Sequence, residues 1–177
     1  VRRHMKIEWS DPMWEDRVRV ALGHPRHGWV QLAFMTAAFN QGVIVRCSDV
    51  FCPFPAAEAW LRRIKGGQLP ARLLIDEEGP SKLLLACPLE ADPSRFSFYV
   101  SADPYWSGDL TDDKDLLLKC KTDRLQFVRD FGSEVSRWLN EDWTPVLYGG
   151  RCDEGDEENH RRATYLTKLD FSALAAE

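Results

Sequence analysis

Residues 71–87 read ARLLIDEEGPSKLLLAC: two apolar runs, Ala71–Asp76 and Lys82–Cys87, on either side of EEGPS. Proline and glycine in so short a polar stretch mark a turn, so the two runs read as strands joined by a hairpin. The stretch decides between an antiparallel and a parallel sheet. A parallel sheet wants a helix after nearly every strand, whereas here one strand follows another directly.

The same antiparallel habit continues downstream. Phe96, Phe98 and Val100 alternate with Ser97, Tyr99 and Ser101, the period-two pattern of a half-buried strand. Leu116, Leu118 and Cys120 alternate with Leu117, Lys119 and Lys121, and the long connection ADPYWSGDLTDDKD separates the two runs. Upstream, DRVRVAL at 16–22 places Val18, Val20 and Leu22 on one face. HPRHG then turns the chain, Trp29–Phe34 alternates again, Asn40-Gln41-Gly42 marks a second turn, and VIVRC at 43–47 is rich in β-branched residues. The N-terminal third is thus a three-stranded meander, with a short extra strand expected at Lys6–Trp9.

Two helices stand out. PFPAAEAWLRRIKGG at 53–67 has Pro55 at a helix start and Gly66-Gly67 at its stop. Its buried stripe is Ala57, Trp60, Leu61 and Ile64, while Arg62, Arg63 and Lys65 suit the negative end of the helix dipole. TDRLQFVRDFGSEVSRWLNEDW at 122–143 takes Thr122 as N-cap and Asp123 in its first turn. Leu125, Val128, Phe131, Val135, Trp138 and Leu139 make its apolar stripe. Gly132 interrupts that stripe at a cost of ~1 kcal/mol relative to alanine, which a strand passing close by would explain. Pro145 and Gly149-Gly150 close the region.

The fold expected is therefore α+β: a mainly antiparallel sheet, or sheets, of about six to seven strands covered by two amphipathic helices. Residues 1–148 read as a single domain, and 149–177 as an acidic linker followed by a C-terminal docking segment carrying Tyr165, Leu166, Leu169, Phe171 and Leu174.

Composition narrows the class. The chain has 177 residues, 44% hydrophobic and 29% charged, as in soluble globular proteins, and seven tryptophans with nine phenylalanines promise an aromatic core. No apolar run reaches the ~20 residues that span a bilayer. VRRHMKIEWSDP lacks the apolar region and small-residue cleavage site of a secretory signal. Five cysteines, an odd number, fit reduced thiols in the cytoplasm. A net charge of −5 argues against nucleic acid and anionic membranes as partners, and suits a basic protein.

Few residues invite a chemical reading. His24 and His27 with Cys47 and Cys52 can supply two nitrogens and two sulfurs to a tetrahedral zinc, but the spacing matches no common zinc module. A hairpin turn with exposed histidines, plus one strand cysteine and one loop cysteine, accounts for them better. Asp76-Glu77-Glu78 can be paired carboxylates for acid–base work, or turn residues ahead of Gly79-Pro80. The loop acids Asp109, Asp112, Asp113 and Asp115 lack the ligand order of a calcium-binding loop. Tyr105 and Trp106 on that loop are either anchors for a partner or aromatics folded back onto the sheet. Ser107-Gly108 has no nucleophile pattern around it, and no phosphate-binding glycine loop is present. RCDEGDEENHRR at 151–162 places Asp153, Glu154, Asp156, Glu157 and Glu158 outside the core pattern; Cys152 and His160 are too few ligands for a closed zinc site, so the stretch reads as a solvated acidic patch.

Residues 54–142, with AAEAWLRRIKGG, ARLLIDEEGPSKLLLACPL, SRFSFYVS and LKCKTDRLQFVRDF, resemble in layout the small bacterial immunity proteins of polymorphic-toxin systems. The resemblance implies a cytoplasmic, non-enzymatic α+β domain that binds and blocks a toxin, and it supplies no binding residues. The expectation is a binding protein without a cofactor, using Tyr105, Trp106, Asp109, Asp112 and Asp113, with 153–158 as a secondary patch, against a basic partner. The alternatives are a metal-dependent enzyme or zinc-stabilised domain built on His24, His27, Cys47 and Cys52, and a homodimer whose exposed aromatics meet their symmetry mates.

Overall fold

The computed structural model describes residues 17–36, 41–141, 148, 166 and 168–176. The strand expected at 6–9, the tip of the turn at Asn40, Pro145, Gly149-Gly150 and the acidic stretch 151–162 lie outside them. Within the described residues seven antiparallel strands form two sheets, and two main helices complete an α+β fold. The first sheet joins β1 (Val18–Leu22), β2 (Trp29–Thr36) and β3 (Gln41–Ser48) in the order 1-2-3. The second joins β4 (Ala71–Asp76), β5 (Ser81–Pro88), β6 (Arg95–Ser101) and β7 (Leu116–Asp123) in the order 4-5-6-7. Helix α1 (Phe54–Lys65) links the sheets, α2 (Arg124–Leu139) follows β7, and a short α3 (Ser172–Ala175) ends the described chain.

The hairpin at 71–87 is as the turn chemistry dictates. Ala71 pairs with Ala86, and the ladder runs to Asp76 opposite Ser81. Glu78 and Gly79 take positive φ in the connection, and the Asp76 carboxylate accepts from the Glu78 N–H at 2.8 Å.

Alternation sends one face of each sheet inward. Val30, Leu32 and Phe34 from the first sheet meet Phe96, Phe98 and Val100 from the second in one core that also takes in both helices. Phe98 is its joint: its ring lies 5.2 Å from Phe34 on β2, 6.3 Å from Trp60 on α1 and 4.9 Å from Phe127 on α2. In a second aromatic group nearer the start of α1, Tyr148 packs edge-on against both Phe54 and Trp138, whose own rings are tilted by 36°, and the Tyr148 hydroxyl donates to Ser48 O at 2.8 Å.

Helix α2 departs from expectation in three places. Its N-cap is Asp123, whose carboxylate accepts from Gln126 N at 2.7 Å, because β7 runs straight into the helix and Thr122 is still an inward strand residue. Leu125 is 45% exposed and Phe127 takes its place in the core. With Val128, Phe131, Val135 and Trp138 setting the buried face, a residue two positions before Phe127 falls about 200° away around a 3.6-residue turn. Gly132 is there for α3 rather than a strand. A Cβ on it would sit 3.1 Å from Phe171 O and 3.2 Å from the Leu174 Cβ. Phe171, Leu174 and Leu166 are buried, so these C-terminal residues complete the core across α2.

Gly132→Ala gains ~1 kcal/mol of helix propensity and loses about as much to that contact, so it should leave stability nearly unchanged. Gly132→Val should cost about 2–3 kcal/mol by wedging α3 off α2. Urea unfolding gives the loss, and limited proteolysis should show early cleavage between Leu166 and α3. A valine variant as resistant as wild type would refute the crossing.

Both outer strands of the first sheet are closed by acids from elsewhere. On β1, Leu22 N–H donates to Glu134 of α2 at 2.8 Å, and Arg137 both pairs with Glu134 and donates to Leu22 O. On β3, Arg46 N–H donates at 2.6 Å to Glu77 of the β4–β5 turn. Glu77 is only 3% exposed, and its second oxygen is paired with Lys82. No helix among the described residues is long and apolar enough to cross a membrane.

Candidate functional site: the loop between β6 and β7

The outward face of the second sheet carries Leu83, Leu85 and Tyr99, too apolar to be left in water. Residues 102–115 fold back over it. Trp106 is the hinge pin of this cover, 4% exposed, with its ring 5.2 Å from Tyr99 and near perpendicular to it. Its indole N–H donates to the carbonyls of Asp112 at 2.8 Å and Asp109 at 3.1 Å. Arg72 on β4 donates to the carbonyls of Trp106 and Pro104, tying the loop from the other side.

The loop's own acids fix its backbone. Asp103 accepts from Tyr105 N at 2.9 Å, and Asp109 accepts from Thr111 N and from the Thr111 hydroxyl. Those two donors hold the Asp109 carboxyl below its usual range. At the loop's ends, Ala102 N–H donates to Asp115 O and Leu116 N–H to Asp113 O. A loop with this many internal bonds is held in one shape before anything binds it.

What it shows to solvent is uneven. Tyr105 is 89% exposed, Asp109 and Asp112 are exposed, and Asp113 is half-buried. Trp106, expected as a possible anchor, is folded back onto the sheet, so of the aromatic pair only Tyr105 offers a surface. Beneath the loop, Lys119 is nearly covered. Burial pushes its ammonium down from its ordinary 10.5 to about 8, with Asp113 pulling it up and Lys121 pushing it down. The folded chain therefore holds this proton less tightly than the unfolded chain does. Between about pH 8 and 10.5 unfolding takes up a proton, so stability rises with pH in that window, and the advantage of a neutral Lys119 is gone below about 8. Lys119→Met should flatten that rise when urea midpoints are compared from pH 7.5 to 10; parallel curves would refute it.

Cys47 is fully buried on the inward face of β3, whereas His24 and His27 are exposed in the β1–β2 hairpin. Among the described residues no three His, Cys, Asp or Glu side chains converge as a ligand set, so the four do not form a zinc site there. His27 and Gly28 both have positive φ, the geometry of a tight two-residue hairpin turn closed by Arg26 and Trp29. Burial pushes the thiols of Cys47, Cys52 and Cys87 up, which leaves them poor nucleophiles. Asp76, Glu77 and Glu78 are used structurally: Asp76 caps the turn, Glu77 closes β3, and Glu78 is bonded to the Ser48 hydroxyl. Asp153, Glu154, Asp156, Glu157 and Glu158 lie outside the described residues.

The outward side chains of β2 and β3 form a further group that no sequence motif marks. Trp29, Gln31 and Arg46 share that face with Arg26 of the turn, and the alternation that put Val30 and Leu32 inward already put Trp29 and Gln31 outward. Comparisons of the chain with protein-family models, with curated proteins and with solved structures find no match.

Proposed function

We propose that this chain is a non-enzymatic, cytoplasmic binding domain that presents the 102–115 loop to a basic protein, as an immunity protein presents an acidic face to its toxin. The observation that carries the reading is Tyr105, 89% exposed at the top of a loop whose backbone is pinned from beneath by Trp106. A large aromatic held out by a pre-ordered loop loses little conformational freedom on binding. The acids beside it, Asp109 and Asp112, would speed encounter with a cationic surface and make that encounter salt-dependent. The raised thiols and the structural use of the Asp76–Glu78 carboxylates fit a protein that binds rather than one that catalyses.

The test starts with low-salt capture from a bacterial lysate, followed by calorimetry with the purified partner. The expected partner is a single basic protein at one-to-one stoichiometry whose affinity falls as salt rises. Tyr105→Ala should weaken it about tenfold or more, or ~1.4 kcal/mol, and Asp112→Asn should act mainly on the association rate. Affinity unchanged in the double variant would remove this loop from the interface.

A further inference from the structure

On the outward face of the first sheet lies a cavity of about 510 Å³, lined by Gly23, His24, Arg26, Trp29, Gln31 and Arg46. Its size is that of a small-molecule site, which typically falls at roughly 300–1,000 Å³. Its placement follows from the strands. Gln31 and Arg46 are direct partners across β2 and β3, and Trp29 stands two residues from Gln31 on the same face. Arg26 and Trp29 exchange backbone hydrogen bonds at 2.8 and 2.9 Å, so the turn fixes Arg26 beside them. The Arg46 guanidinium carbon lies 5.6 Å from the Trp29 ring centroid, over the ring.

The charge here is opposite to that of the chain as a whole, which is −5. Among the described residues no carboxylate lines the cavity: Asp49 packs against Gly28 outside the lining, and Glu77, on the Arg46 backbone, is buried and paired with Lys82. Elsewhere Arg17, Arg62 and Arg137 each hold an acid at 2.9 Å or less. Among the described residues neither the Arg26 nor the Arg46 guanidinium is held in an ion pair, although both sit on the same concave face as a half-buried indole. Guanidinium forks match the paired oxygens of a carboxylate or phosphate, and a flat ring is the shape that lies along an indole–guanidinium stack.

We infer that this cavity is a binding site for a small organic oxyanion with a planar ring, the carboxylate or phosphate taking Arg26 and Arg46 and the ring lying along Trp29. Gln31 supplies the amide that orients the ring's polar edge. The site is on the other sheet from the Tyr105 loop and does not depend on the reading of that loop.

The experiment is a titration of the whole protein followed by backbone and indole N–H chemical shifts, with adenosine monophosphate, benzoate, adenosine and inorganic phosphate as probes. A ring-bearing anion should shift the Trp29 indole and the Arg46 amide saturably with a Kd below about 1 mM, at least tenfold tighter than adenosine or phosphate alone. Tighter binding of the monophosphate assigns a phosphate headgroup, and of benzoate a carboxylate. Arg46→Gln should weaken the winning probe about tenfold while Arg46→Lys keeps part of it; Arg26→Gln, in the turn, gives a second loss that leaves the β2–β3 ladder intact. No saturable shift from either anion up to about 10 mM, or shifts that persist in both glutamine variants, would overturn the assignment.

Discussion

Phe98→Ala should cost about 3–5 kcal/mol, the range for emptying a fully buried phenylalanine site. The upper end is expected because this ring is where the two sheets and both helices meet. It packs on Phe34 of β2, Trp60 of α1, Phe127 of α2 and Phe96 beside it on its own strand. None of those four rings can collapse far into the space without leaving another partner, so the cavity would persist. Urea unfolding of the variant gives the number directly. Phe98→Leu, which keeps most of the volume, should recover more than half of the loss. A cost under ~1.5 kcal/mol for the alanine variant would mean that the sheets are joined somewhere else.

Glu77→Ala should cost about as much, roughly 3–5 kcal/mol, for a different reason. The carboxylate is 3% exposed, accepts from the Arg46 N–H and is paired with Lys82, whose side chain is about one-fifth exposed. Removing it takes the acceptor from a part-buried N–H and the partner from a largely covered ammonium; each loss is expensive. Glu77→Gln keeps an acceptor for Arg46 and should cost less, about 1–3 kcal/mol. The double variant Glu77→Ala, Lys82→Met should be more stable than Glu77→Ala alone, since the orphaned charge goes with its partner. An alanine variant within ~1 kcal/mol of wild type would show that water reaches the site and replaces the carboxylate.

Most of the architecture was legible because alternation and helical spacing are local properties. Val18, Val20 and Leu22, or Ala57, Trp60, Leu61 and Ile64, announce a shared face before any partner is known. Local pattern does not say which of two faces wins when both are apolar. On α2 the choice between Leu125 and Phe127 was settled by the ring cluster around Phe98. The second sheet likewise carries Leu83, Leu85 and Tyr99 outward and Leu84, Ala86, Phe98 and Val100 inward, so both faces are covered and the loop containing Trp106 is one of the covers. Trp106 could not be placed from sequence because its hydrogen-bond acceptors are carbonyls of its own loop, which carry no residue signature. Gly132 pointed to a close approach, but its neighbour, Phe171, is far along the chain and in a helical turn. Arg26, Trp29, Gln31 and Arg46 were invisible as a group because two sit on one strand, one on the next and one in a turn, and it takes both the β2–β3 register and the turn closed by Arg26 and Trp29 to bring them together.

The acids that close the first sheet bear on how the chain is made. Leu22 waits for Glu134, 112 positions later, and Arg46 for Glu77, 31 positions later. A polypeptide emerging from the ribosome therefore presents the β1–β2–β3 meander with both outer strands still open, each a template for pairing with another nascent chain. The β3 side can be closed once the β4–β5 turn has been synthesised, but the β1 side remains available until α2 exists and has docked. Most of the risk of wrong association lies in that interval, and it is set by the separation of Leu22 and Glu134 along the chain rather than by the stability of the finished fold.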